Sequence, residues 1–105
     1  MKLLSIDHIP GKEIEALDIV KGTVVHTKNV GRDFMAAMKT LVGGELVGYT
    51  QMLNEARQIA VKRMVDEAQE LGADAIINVR YGTSSVMSGA AEVIAYGTAV
   101  KIVQK

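Results

Sequence analysis

Two histidines, six methionines and a spread of carboxylates are the residues of this chain that could do chemistry. His8 sits beside Pro10 and Gly11 in a segment that reads as a turn. His26 lies in a run rich in β-branched residues, far from His8 in sequence and in neither an HxH nor an HExxH pattern. Soft metals favour thiolate, and the chain has no cysteine. Met35, Met38, Met52 and Met64 fall on apolar helical stripes, where methionine serves as filler. His8 and His26 are therefore the weak candidates for a metal, and the reading is of no metal centre built by one chain. A ring of subunits could still bring symmetry-related copies of one histidine together.

No nucleophile–base pair stands out. Ser84, Ser85 and Ser88 lie in a Gly/Ser/Thr-rich segment and none occupies a G-x-S-x-G elbow. Asp66, Glu67 and Glu70 lie where pairing with Lys62 and Arg63 at helical spacing explains them. The segment Gly43-Gly44-Glu45-Leu46-Val47-Gly48 resembles neither GxxxxGK[ST] nor GxGxxG, and Glu45 would repel a phosphate, so it reads as a turn between helices. Arg80 shares a strand with Asp74 and Asn78, and it reads as one half of a salt bridge between subunits rather than as a substrate clamp. Tyr49 and Tyr96 can offer hydroxyls to an interface or act as filler with a wet edge. The reading is of a non-enzyme without a cofactor.

Composition bounds the rest. A chain of 105 residues with 49% hydrophobic residues fits one folded domain over 1–105. Aromatics are only 4%, so the core must rest on aliphatic residues and Met. Twelve basic and 12 acidic residues balance. That excludes the basic excess of a nucleic-acid or membrane-surface binder and leaves no charge repulsion against self-association. The absence of cysteine suits a reducing compartment. The apolar N-terminal run is broken at Asp7, too early for a signal peptide, and no stretch reaches the ~20 apolar residues of a membrane span. A cytoplasmic location is expected.

The elements that must position these residues follow from periodicity. Ile14 to Val30 reads as a strand, with Gly22 marking a bulge, a bend or a break. A first helix follows from about Asp33 to Val42 and stops at Gly43-Gly44. A second, longer helix runs from Leu46 or Tyr49 to Leu71, with an apolar stripe that includes Met52, Leu53, Ala56, Ile59, Ala60, Met64, Ala68 and Leu71. Gly72 then takes the C′ position. Residues 73–103 read as a hairpin, with Gly82-Thr83-Ser84-Ser85 and Ser88-Gly89 flanking the connection. The order β-α-α-β-β predicts an α+β fold, a mostly antiparallel sheet packed against two helices.

The last strand is mostly apolar on both faces: Ile94, Tyr96, Thr98, Val100 and Ile102 on one, Val93, Ala95, Gly97, Ala99, Lys101 and Val103 on the other. Small side chains allow another element close, either the long helix or a neighbouring subunit. Two helices cover one face readily, so the other calls for a second copy, unless the sheet curls on itself. Val93, Ala95, Gly97, Ala99 and Arg80 are the expected interface residues.

Several fragments, in order, resemble the YbjQ-like family: Gly31-Arg32-Asp33-Phe34, Gly43-Gly44-Glu45 with Tyr49, Ala56-Arg57 with Ala60, Leu71-Gly72-Ala73-Asp74-Ala75-Ile76, Val79-Arg80, and Tyr96-Gly97-Thr98-Ala99-Val100. The resemblance spans nearly the whole chain. It implies a small α+β subunit assembled into a ring, a homopentamer, and it carries a heavy-metal-binding label. Together these readings give a non-enzymatic oligomer that binds a small molecule or serves a structural role. The alternatives are a heavy-metal-binding protein and an enzyme whose site is shared between subunits.

Overall fold

A computed structural model describes residues 1–26, 47–87 and 90–103. They form an α+β fold of two layers, a mixed sheet and a helix. The elements are β1 (Lys2–Leu3), β2 (Glu13–His26), α1 (Val47–Glu70), β3 (Ala75–Met87) and β4 (Ala90–Val103). The sheet order is β1-β3-β4-β2, with β1 parallel to β3 and the other two pairings antiparallel. Among the described residues the order is therefore β-β-α-β-β, not β-α-α-β-β. The two-residue β1 is an addition, and the helix expected over 33–42 lies outside the described residues, as do Gly43-Gly44 and the strand end at 27–30.

Local chemistry explains the boundaries. Pro10 and Gly11 turn the chain between Ile9 and Lys12, whose N–H donates to the Ile9 carbonyl at 3.0 Å, and Gly11 has φ +76°. That is proline at the second and glycine at the third turn position, as a type II turn demands. The long helix stops at Gly72, φ +75°, where Gly72 N–H donates to the Gln69 carbonyl and Ala73 N–H to the Ala68 carbonyl. These paired bonds close a Schellman motif. The Lys101 ammonium adds a bond to the Gly72 carbonyl at 2.9 Å.

The main core lies between α1 and one face of the sheet. Ala56, Ala60, Met64 and Ala68 line up at intervals of four and are fully buried against Val20, Val24, Ile76, Val93, Ala95 and Ala99. Burying a side chain such as Met64 or Ile76 contributes ~1.5–3 kcal/mol. Two members of the expected stripe, Ile59 and Leu71, are instead exposed. Three of the four buried helical residues are alanine, so the helix sits very close to the sheet.

Gly22 is the reason it can. It is neither a bulge nor a break, since β2 runs on through it and the register shift lies at Leu17. A Cβ at Gly22 would stand 1.9 Å from the Ala60 carbonyl oxygen and 2.6 Å from the Met64 nitrogen. Gly82-Thr83-Ser84-Ser85 is also strand rather than connection, paired to β4 from Gly82↔Ile94 to Ser85↔Ala91. Only 88–89, outside the described residues, separate the two long strands.

A smaller cluster closes one end of the opposite face. Ile9, with Leu4, packs on Ala75, Ile77, Val100 and Ile102. The segment is tied down by Leu4 N–H to the Ile76 carbonyl, Val79 N–H to the Leu4 carbonyl and Asn78 N–H to the Ile6 carbonyl. Asn78 takes φ +52° at a bulge in β3, a conformation asparagine tolerates better than most residues.

Gly22→Ala should destabilise the fold by about 1–3 kcal/mol or more, because the obstacle is helix backbone rather than a flexible side chain. Chemical denaturation of the variant beside Gly82→Ala, whose new methyl meets only the Ile94 side chain at 3.1 Å, checks this; equal midpoints would refute the close-approach account.

Candidate functional site

The turn that ends at Lys12 places His8 on the surface. Its Nδ1–H donates to the Asp7 carboxylate at 2.9 Å, with both side chains well exposed. This hydrogen bond first, and the attraction of a charged imidazole second, hold the Asp7 carboxyl below its usual range. An open groove of about 780 Å³ runs beside it, with His8, Lys12, Glu13 and Asp74 around Ile9 and Ile102. One oxygen of Asp74 accepts the Ile102 N–H at 2.8 Å, which fixes that carboxylate at the rim. The groove thus presents groups of both signs over an apolar floor. No pattern in the sequence announces it, because strand pairing brings Asp74 and Ile102 beside residues 8–13.

His26 lies at the other end of β2, opposite Ala91, and its side chain is not among those described. A strand of 14 residues spans roughly 45 Å. His8 precedes the first residue of β2 and His26 is its last, so the length of that strand stands between them. Among the described residues, no three His, Asp or Glu side chains converge as a metal would require. Met64 is sealed in the core, and Met35 and Met38 lie outside the described residues. The donors present do not fit a heavy-metal centre within one described subunit.

Val93, Ala95, Gly97 and Ala99 are all on the face that α1 covers, buried within the chain itself. Of the two elements the small residues could have admitted, the helix takes that place. The Arg80 guanidinium donates to the Ser5 carbonyl at 2.9 Å and to the Val79 carbonyl at 3.0 Å, so it clamps the N-terminal segment to the β3 bulge. Arg63 and Glu67 do not serve helical pairing with each other's turn; they reach across to β2, at the Thr23 carbonyl and the Lys21 N–H. Lys62 does pair with Asp66, at 2.9 Å.

The open side of the sheet carries exposed apolar side chains that the expected interface set does not include. Ile19 is 71% exposed, Val25 52% and Tyr96 42%, with Thr23, Ile94 and Thr98 half-buried between them. Register puts them on one face: Ile19 opposite Thr98, Lys21 opposite Tyr96, Thr23 opposite Ile94. Ile19 and Val25 alternate with the buried Val20 and Val24, so β2 carries large apolar residues on both faces, with Lys21 and Thr23 between those of the open one. That run was the signal available in the sequence.

A two-layer α+β domain, with a helix on one face of the sheet and exposed apolar side chains on the other, is the class these features define. The chain belongs to the YbjQ-like family, whose description reads "Putative heavy-metal-binding" and whose model matches residues 1–103. It is similar to a UPF0145 protein of Clostridium novyi, 63% identical over 102 residues that cover 97% of this chain and 99% of that one. A UPF0145 protein of Alkaliphilus metalliredigens is 59% identical over 103 residues, covering 98% and 100%. The fold is shared with a crystal structure of a protein of unknown function in the DUF74 family from Pediococcus pentosaceus, with TM-score 0.69, 20% identity and 98% of each chain covered. No helix among the described residues is long and apolar enough to cross a membrane.

Two outcomes check the site. Asp7 should titrate below an ordinary aspartate by NMR and return to the usual range in His8→Ala. A depressed carboxylate stabilises above its unfolded pKa and loses that contribution as pH falls through the folded value. Here the partners are adjacent and exposed, so folding stability should barely change. Calorimetric titration with zinc or cadmium should give no stoichiometric heat at micromolar metal; one metal per subunit, abolished by His8→Ala, would overturn the donor-set argument.

Proposed function

We propose that this chain is a subunit of a homo-oligomeric ring that acts as a ligand-binding or structural assembly and not as an enzyme. The observation that carries the reading is the open sheet face around Ile19, Val25 and Tyr96, an apolar surface of the kind that marks a contact site. Shape supports it. The radius of gyration is 16.8 Å, against about 13 Å for a compact domain of this size. A slab with extents of 57 × 27 × 16 Å covers its own sheet poorly and gains most from a neighbour. Balanced charge leaves no repulsion between copies. The homopentamer is the ring the family resemblance implies, and a cytoplasmic setting suits a chain without cysteine.

The ligand-binding form of this reading places a small amphipathic molecule carrying both charges in the groove between Lys12 and Asp74. The heavy-metal alternative draws on the family description alone.

Sedimentation velocity should give several times the 11.3 kDa of one chain. Ile19→Lys with Tyr96→Lys, both at exposed positions, should shift the population towards single subunits while far-UV circular dichroism is retained. A wild-type protein that sediments as one folded chain at micromolar concentration would end the assembly reading.

A further inference from the structure

The two edges of the sheet are treated differently. β2 is one outer strand. Its outward backbone groups are met by side chains: Asp18 accepts the Ile19 N–H, Glu67 accepts the Lys21 N–H and Arg63 donates to the Thr23 carbonyl. Charged groups on a strand edge block the addition of another strand.

The other edge follows from the alternation of an antiparallel ladder. Ile19, Lys21 and Thr23 point away from β4, so their partners Thr98, Tyr96 and Ile94 direct their backbone groups towards β3. Gly82 and Ser84, opposite Ile94 and Glu92, then face β4. Tyr81, Thr83 and Ser85 point outward. The lower part of this strand obeys the same rule, since the outward Ile76 carbonyl accepts the Leu4 N–H. Residues 2–6 occupy the edge only as far as Val79. Among the described residues nothing pairs with it from Tyr81 to Ser85, and the stretch to Met87 holds neither proline nor charge.

We infer that the outer edge of β3 over Tyr81, Thr83 and Ser85 accepts a β-strand from a second copy of this chain, while Asp18, Arg63 and Glu67 withhold the edge of β2. The inference rests on the assembly reading and says which edge the assembly uses. A second copy is the fitting occupant. Foreign peptides added to an edge are read by pockets for alternate side chains, and Gly82, Thr83 and Ser84 build none. A copy arrives in a register fixed by the rest of the contact, and the net charge of zero sets up no repulsion.

Residue-resolved hydrogen exchange on the assembled protein tests this, with Gly82 and Ser84 as internal references because they bond to β4 in either case. Protection of Tyr81, Thr83 and Ser85 equal to theirs is expected. Thr83→Pro, which removes an outward donor and leaves the β4 ladder intact, should weaken assembly about tenfold or more. An assembled protein in which those three amides exchange freely, or whose mass is unchanged by a folded Thr83→Pro, overturns the edge inference and leaves the assembly reading standing. A single-chain mass for the wild type overturns both. Should Thr83→Pro fail to fold, the wild-type exchange pattern alone decides.

Discussion

The contact between Gly22 and the Ala60 turn of α1 sets the spacing between the helix and the sheet. Any side chain at Gly22 would collide with helix backbone, so the helix axis is fixed by a strand that presents none. The alanines at 56, 60 and 68 keep the rest of that approach short, and Met64 fills the one deeper gap. The same closeness brings Arg63 and Glu67 within reach of the outward backbone of β2. The packing of small residues and the guarding of that edge are thus one arrangement: a helix held farther off would lose both.

A helix held this close cannot also be broad. α1 crosses β2 and β4 and leaves Tyr81 on β3 exposed, although register puts Tyr81 opposite the buried Ala95. On the far face, the N-terminal segment reaches Val100 and Ile77 and goes no farther. The apolar residues beyond it, with Ile19 foremost, remain in water. They stand among Lys21, Thr23 and Thr98, so the face is mixed, with large apolar side chains exposed where a fully solvated sheet face would carry polar ones.

How much of this was legible depended on whether the signal was local. The Pro10–Gly11 turn, the span of the long helix and its stop at Gly72 are written in adjacent residues, and the structure has them where the sequence put them. β1 was not visible: two residues carry no period, and their pairing with Ala75 and Ile76 is set across more than 70 positions. Gly82 to Ser85 has the composition of a loop and became strand because β4 lies beside it. Gly22 was recognised as special for the wrong reason, since a glycine that admits a helix and a glycine that breaks a strand look alike in sequence. The small residues of β4 carry the same ambiguity, since they admit a helix or a neighbouring chain alike, and in the structure the chain's own helix packs on them.

The chemistry of the side chains bears on the family's description in the same way. A soft-metal site draws on thiolates or thioethers, and the chain has no cysteine and seals Met64 in the core; a borderline site draws on converging imidazoles, and His8 precedes the start of β2 while His26 ends it. Symmetry could multiply one histidine, and the Asp7 bond at Nδ1 leaves Nε2 of His8 available, but one exposed imidazole at the rim of an open groove supplies a single donor per chain. What the chain provides in quantity is apolar β surface and one unguarded edge. The groove beside His8 offers charge from Lys12, Glu13 and Asp74, but neither a thiolate nor an imidazole cluster.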